Sequence, residues 1–246
     1  VSCFLPLQPR GRRGAPAVAE PMPLPLDLLD LRVTNARGRV LLDAPALSVL
    51  PGEAVGIRGP SGAGKSTLLF ALAGLLPEAT GQVRWGKTQM LALSPEARAG
   101  FRAAHMGLIF QDFLLLEELG AAANAGVGAL FRHRSARATL KTRAAKVLAR
   151  LGVSDEPRNV ASFSGGERQR VAVARALAHD PSILLADEPT ASLDRAAADR
   201  LVDDLTTLAR TQGKTLITVS HDRALLERMD RELTIENGPL SGARDA

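Results

Sequence analysis

Apolar and polar positions alternate in short bursts over residues 26–34, 40–42, 46–50 and 53–58, and Asn, Gly and Pro break the bursts apart. A period of two puts every second side chain on one face, so these segments are predicted to be strands of a small, mostly antiparallel sheet. The spacing then changes. An apolar run that opens at Lys65 and closes at Pro77 is predicted to be a helix, and strands are predicted near 82–85 and over 106–110. Residues 117–155 become Ala-rich, and 112–163 read as a helical insert. A helix over 165–179, a strand over 183–186, a helix over about 195–210, a strand over 215–220 and a short final helix follow. Strands that alternate with helices imply an α/β fold with a parallel sheet covered on both faces.

Residues 1–21 are rich in Pro and Arg and show no apolar periodicity, so a disordered leader is expected over 1–25. Arg10, Arg12 and Arg13 follow the short apolar opening, the reverse of a secretory signal. Met22 directly precedes the first strand, which suggests a later start. Residues 26–240 read as one body and 241–246 as a tail.

With 246 residues, 46% of them hydrophobic, the chain can bury a sizeable core. No apolar run approaches the roughly 18 residues of a membrane span. The lone Cys3 rules out an internal disulfide and a multi-cysteine zinc cluster. The net charge is +5, yet aromatics are only 3% and Tyr is absent, which argues against a base-stacking surface and hence a specific nucleic-acid partner. Only five of the 31 basic residues are Lys, so the placement of each is informative.

One of the five closes the run Gly59-Pro60-Ser61-Gly62-Ala63-Gly64-Lys65-Ser66-Thr67, a G-x-x-x-x-G-K-[ST] pattern between a predicted strand and a predicted helix. Glycines at 62 and 64 let backbone amides turn inward around an anion, and the helix start adds partial positive charge. Lys65 is placed to reach β and γ phosphates, and Ser66 offers a hydroxyl to Mg2+. The strand at 183–186 runs into Asp187 and Glu188, putting two carboxylates at the sheet edge where α/β folds bind ligands. Asp187 is expected to hold the metal, and Glu188 to polarise the attacking water.

The run Ser164-Gly165-Gly166-Glu167-Arg168-Gln169-Arg170, 23 residues before Asp187, resembles the signature of ABC transporter ATP-binding subunits. Ser164 and Glu167 have capping-box spacing, but two glycines in a first helical turn cost about 1 kcal/mol each, so close approach to something bulky is expected there. The resemblance implies a P-loop NTPase core with an antiparallel β subdomain and a helical subdomain. It also implies a head-to-tail dimer that sandwiches two Mg-ATP between one cradle and the opposing Ser164, Gly165, Gly166 and Glu167. Gln111 matches the family glutamine that reaches metal and water, Asp194 the loop crossing the dimer interface, and His221 the histidine beside the γ phosphate. The family also places an aromatic near Ala36 to stack on adenine. None stands between Thr34 and Arg39, so Arg37 or Arg39 is expected to cover the ring as a cation.

Residues 93–98 with Arg102, 107–113, 165–175 and 186–190 are similar to the lipoprotein-releasing, macrolide-exporting and cell-division type of ATPase. That likeness implies an ATP-hydrolysing subunit that drives integral membrane permease subunits from the cytoplasmic face of the bacterial inner membrane. A non-transport role, regulating a membrane-anchored enzyme or division complex, stays open at this point. Seven basic residues and no acid lie between Arg132 and Arg150, expected as a solvated helix face. The uncharged stretch 119–131 suits a groove for a partner's helix.

Overall fold

The computed structural model describes residues 23–131, 133–154, 158–236 and 238–245. The expected leader, as far as residue 22, and Arg132 of the basic run lie outside the described residues. Residues 23–25, expected in the leader, are part of the fold: the Leu24 carbonyl accepts the Thr215 hydroxyl at 2.7 Å, and the Pro25 carbonyl accepts the Gly86 amide at 2.9 Å.

The elements run β1 (Leu26–Thr34), β2 (Val40–Val49), β3 (Ala54–Arg58), α1 (Lys65–Leu72), β4 (Ala79–Trp85), β5 (Thr88–Gln89), α2 (Pro95–His105), β6 (Met106–Ile109), α3 (Ala121–Ala125), α4 (Arg134–Arg150), α5 (Gly165–Leu177), β7 (Ile183–Asp187), α6 (Arg195–Gln212), β8 (Thr215–Val219), α7 (Arg223–Leu226), β9 (Arg231–Ile235) and β10 (Leu240–Asp245). An antiparallel sheet in the order β2-β1-β4-β5 sits beside a six-stranded sheet in the order β10-β9-β3-β8-β7-β6.

Residues 53–58 depart from the expected antiparallel group. β3 lies at the centre of the larger sheet, parallel to both β8 and β9. Ala54, Val55 and Ile57 are fully buried, as befits a strand covered on both faces. β2 is continuous through residues 43–45, where two separate strands were expected. The anticipated tail instead forms β10, antiparallel to β9. α1 ends five residues before Pro77 because Gly74, at φ +63°, closes a Schellman turn in which its amide reaches the Ala71 carbonyl and the Leu75 amide reaches that of Phe70. Trp85 is completely buried under α1 and donates its indole N–H to the Leu72 carbonyl at 3.0 Å. The two sheets and α1 thus share one core.

The insert has its own apolar centre, in which Ala121, Ala125 and Ala129 meet Leu140, Ala144 and Leu148 of α4 and Val171 and Ala174 of α5. Leu140, Ala144 and Leu148 recur every four residues and form the buried stripe of α4, while its cations face outward. Arg143 pairs with Asp180 at 3.7 Å and Arg150 with Asp204 of α6, so part of the expected solvated face is tied to the body of the larger sheet. No described helix is long and apolar enough to cross a membrane.

Candidate active site

The loop from β3 to α1 is shaped by contacts that only glycine permits. A Cβ on Gly59 would lie 2.2 Å from the Ile235 carbonyl oxygen, and one on Gly64, at φ +105°, would lie 2.5 Å from that of Leu41. Gly62, at φ +75°, faces open space, so a side chain there would enter the cradle itself. Pro60 and Ala63 close the turn through a 3.2 Å backbone bond. No side chain caps the start of α1, which leaves its first amides to an incoming anion. Lys65 is buried and folds back over the loop. Its ammonium donates to the carbonyls of Gly59 (2.8 Å) and Pro60 (3.0 Å) and stands 3.1 Å from Nε2 of His221.

β7 delivers the two carboxylates to the same place. Asp187 is 4% exposed. Burial raises its pKa, opposed by a hydrogen bond from Ser66 and the charge of Lys65, while Asp112 adds to the rise. Glu188 stands at φ +48°, a left-handed conformation that costs a side-chain-bearing residue about 1–3 kcal/mol. Its amide bonds the Val219 carbonyl at 2.9 Å, and Oε2 accepts from the Ser220 hydroxyl (3.1 Å) and the His221 amide (3.2 Å). Oε1 is buried with no hydrogen-bond partner among the described residues, 3.6 Å from Nε2 of His221. The strain is held in place by β8, and it leaves one carboxylate oxygen free for a reacting molecule.

Ser61, Gly62, Gly64, Lys65, Ser66, Thr67, Gln111, Asp187, Glu188 and His221 all line one cavity of about 680 Å3. The Ser66 hydroxyl, Asp187 carboxylate and Gln111 amide are hard oxygen donors, few in number, and so fit a Mg2+ that keeps water and phosphate among its ligands. The loop after Gln111 is pinned by Arg175 of α5, which donates to the carbonyls of Phe113 (2.7 Å) and Leu114, both at positive φ. Thr190, Asp222 and Leu41 also line the cavity and were given no site role in the sequence reading. Asp222 accepts from Thr190 (3.3 Å) and Arg195 (3.2 Å) while capping α7, a role that a short polar run before a helix could have suggested. Beside Leu41, the β1–β2 turn is held by Asn35, whose side-chain oxygen accepts the amides of Arg37 and Arg39, both exposed.

Ser164, Gly165, Gly166, Glu167 and Asp194 do not line this cavity. Ser164 and Glu167 form the expected capping box of α5. The bulky neighbour of the glycines within this chain is the Ser192 loop: a Cβ on Gly166 would lie 3.1 Å from the Ser192 carbonyl oxygen and one on Gly165 3.4 Å from the Ser192 Cβ. Asp194 caps α6 by accepting the Ala197 amide at 2.9 Å. Ser164 and Gly165 are exposed, so a single copy leaves this edge open.

The raised pKa of Asp187 carries a stability consequence. A carboxyl whose folded pKa exceeds its unfolded value contributes stability at low pH that is lost as pH rises through the folded pKa. Asp187→Asn is therefore expected to raise the melting temperature of the free protein at pH 7. Thermal melts of the two proteins at pH 7 and at low pH check this, the gap closing at low pH.

Comparison with known proteins agrees with this geometry. The protein-family model described as ABC transporter matches residues 42–191. An uncharacterized ABC transporter ATP-binding protein, YbbA of Escherichia coli, is 43% identical over 201 residues, covering 81% of this chain and 88% of that protein. The lipoprotein-releasing system ATP-binding protein LolD 1 of Rhodospirillum rubrum is 42% identical over 205 residues, covering 82% and 90%. Among solved structures, the dimeric structure of MJ0796, a bacterial ABC transporter cassette, superposes with a TM-score of 0.83 at 30% identity, covering 89% of this chain and 98% of that one. A post-hydrolysis state of the same cassette bound to ADP and Pi matches equally well. The chain belongs to the ABC transporter family, as one of its ATP-binding subunits.

Proposed function

We propose that the chain hydrolyses ATP to drive integral membrane subunits, in the manner of the lipoprotein-releasing and exporting systems its relatives are named for. The observation that carries this reading is the single cavity that gathers the amide-lined loop, Lys65, both carboxylates, Gln111 and His221. Loop amides and the Lys65 ammonium bind the triphosphate, the ammonium exchanging the Gly59 and Pro60 carbonyls for phosphate oxygens. Ser66, Asp187 and Gln111 would hold Mg2+, which when bound offsets charge on the β and γ phosphates. Glu188 Oε1 orients the attacking water and takes up its proton, and His221 steadies both Glu188 and the terminal phosphate. Ser164, Gly165, Gly166 and Glu167 meet the triphosphate held by a second copy, with Asp194 at the crossing, in a head-to-tail dimer around two ATP.

Membrane partners are supported by a second cavity, of about 420 Å3, between core and insert, walled by Met106, Leu108, Phe110, Leu114, Val127 and Phe131. Phe131 is 83% exposed and Leu130 66%, an apolar rim suited to a partner helix. The chain then works as a peripheral subunit on the cytoplasmic face of the inner membrane. The test is flotation with liposomes: recovery is expected only when partner subunits from native membranes are present. Equal recovery with protein-free liposomes would overturn the partner reading.

A further inference from the structure

The start of α5 carries an acid where the proposed dimer brings in a triphosphate. Glu167 Oε2 accepts the Ser164 amide at 2.8 Å and lies 3.0 Å from the Ser164 hydroxyl, whose oxygen accepts the Glu167 amide at 3.2 Å. The hydroxyl proton therefore points at the carboxylate, and a full negative charge sits one turn from exposed Ser164 and Gly165. Like charges brought together at an interface oppose association by several kcal/mol.

A neighbouring cation answers that charge. Arg158 donates through Nη2 to Glu167 Oε1, the oxygen not used by Ser164. Its guanidinium carbon lies 4.3 Å from the ring centroid of Phe163, the buried residue just before Ser164. Phe163 is in turn fixed by Arg168, which donates to its carbonyl at 3.0 Å. The guanidinium is thus stacked on one side and paired on the other, a geometry Lys would not reproduce.

We propose that Arg158 is a positioning residue for nucleotide: by pairing with Glu167 it cancels the charge the helix start would otherwise turn toward the triphosphate. The inference rests on the proposed seating of residues 164–166 against a nucleotide held by a second copy.

The test is the ATP dependence of turnover at low and high NaCl for the wild type, Arg158→Met, Glu167→Gln and the double variant. Met keeps an apolar stem over Phe163 and removes the charge together with the Nη2 donor to Glu167. Arg158→Met is expected to raise KM for ATP about tenfold at low salt with little change in kcat, and less as salt screens the repulsion. In the Glu167→Gln background, Arg158→Met is expected to change KM by less than about twofold, because no charge is left to cancel. A wild-type KM in Arg158→Met would overturn the inference. So would the same defect in the Glu167→Gln background, or a defect indifferent to salt, either of which marks a purely structural role. Ser164→Arg separates the two levels. If that bulk leaves turnover intact, the underlying seating is wrong; if it abolishes turnover while Arg158→Met is silent, only the role of Arg158 falls.

Discussion

Glu188→Gln is expected to lower ATP turnover by about 10²–10⁴-fold, the usual worth of a positioned general base, while ATP binding persists. The carboxamide is isosteric, and its oxygen can still accept from Ser220 and the His221 amide, so the strained turn at φ +48° stays in place. What changes is the other atom. Oε1, buried and unpartnered among the described residues, becomes an NH2 that cannot accept a proton from water. Because nucleotide enters but is not consumed, the two-copy complex accumulates, and size-exclusion chromatography with Mg-ATP shows a dimer peak absent without nucleotide. Unchanged turnover would remove Glu188 from the chemistry.

Lys65→Ala acts one step earlier, on binding. Truncating one partner of a buried charge pair costs about 2–5 kcal/mol, or roughly 30-fold to several thousand-fold in Kd. The loss should be visible by calorimetric titration with a non-hydrolysed ATP analogue, and the Glu188→Gln dimer should no longer form in the double variant. The free protein is also expected to melt at lower temperature, because the ammonium bridges the Gly59 and Pro60 carbonyls and His221. An unaltered Kd would mean the loop amides and the helix start hold the triphosphate by themselves.

The phosphate loop was legible because its chemistry is written in backbone requirements: glycine at 62 and 64 is demanded by positive φ, and that demand shows as a fixed spacing. Asp187 and Glu188 were legible because an apolar run buried on both faces ends at them. Three features were not. Residues 53–58 alternate too briefly to distinguish a half-buried strand from a central one, and only pairing with the distant β8 and β9 decides it. α2 has Phe101 as its only large apolar residue and buries none of its residues fully, so it was passed over, although Ser94 caps it and Pro95 opens it. β9 and β10 are short and charged, with Arg231 and Glu232 in β9 and Arg244 and Asp245 in β10, and these charges hide the apolar alternation that would mark a strand in the sequence. The site was therefore read more completely than the sheet that supports it. The partner of Glu167 escaped for a related reason: Arg158 lies outside every motif, and only its stacking on Phe163 brings it to the acid.

The contact between Gly59 and the Ile235 carbonyl, together with the 3.1 Å bond from the Gly238 amide to the Ala63 carbonyl, makes β9 and the turn after it the rear wall of the phosphate loop. Synthesis is directional, and a domain generally folds as a unit. The loop is made before its wall, which follows more than 170 residues later at Ile235. A ribosome-bound chain that has not yet released β9 thus holds a loop without its backing.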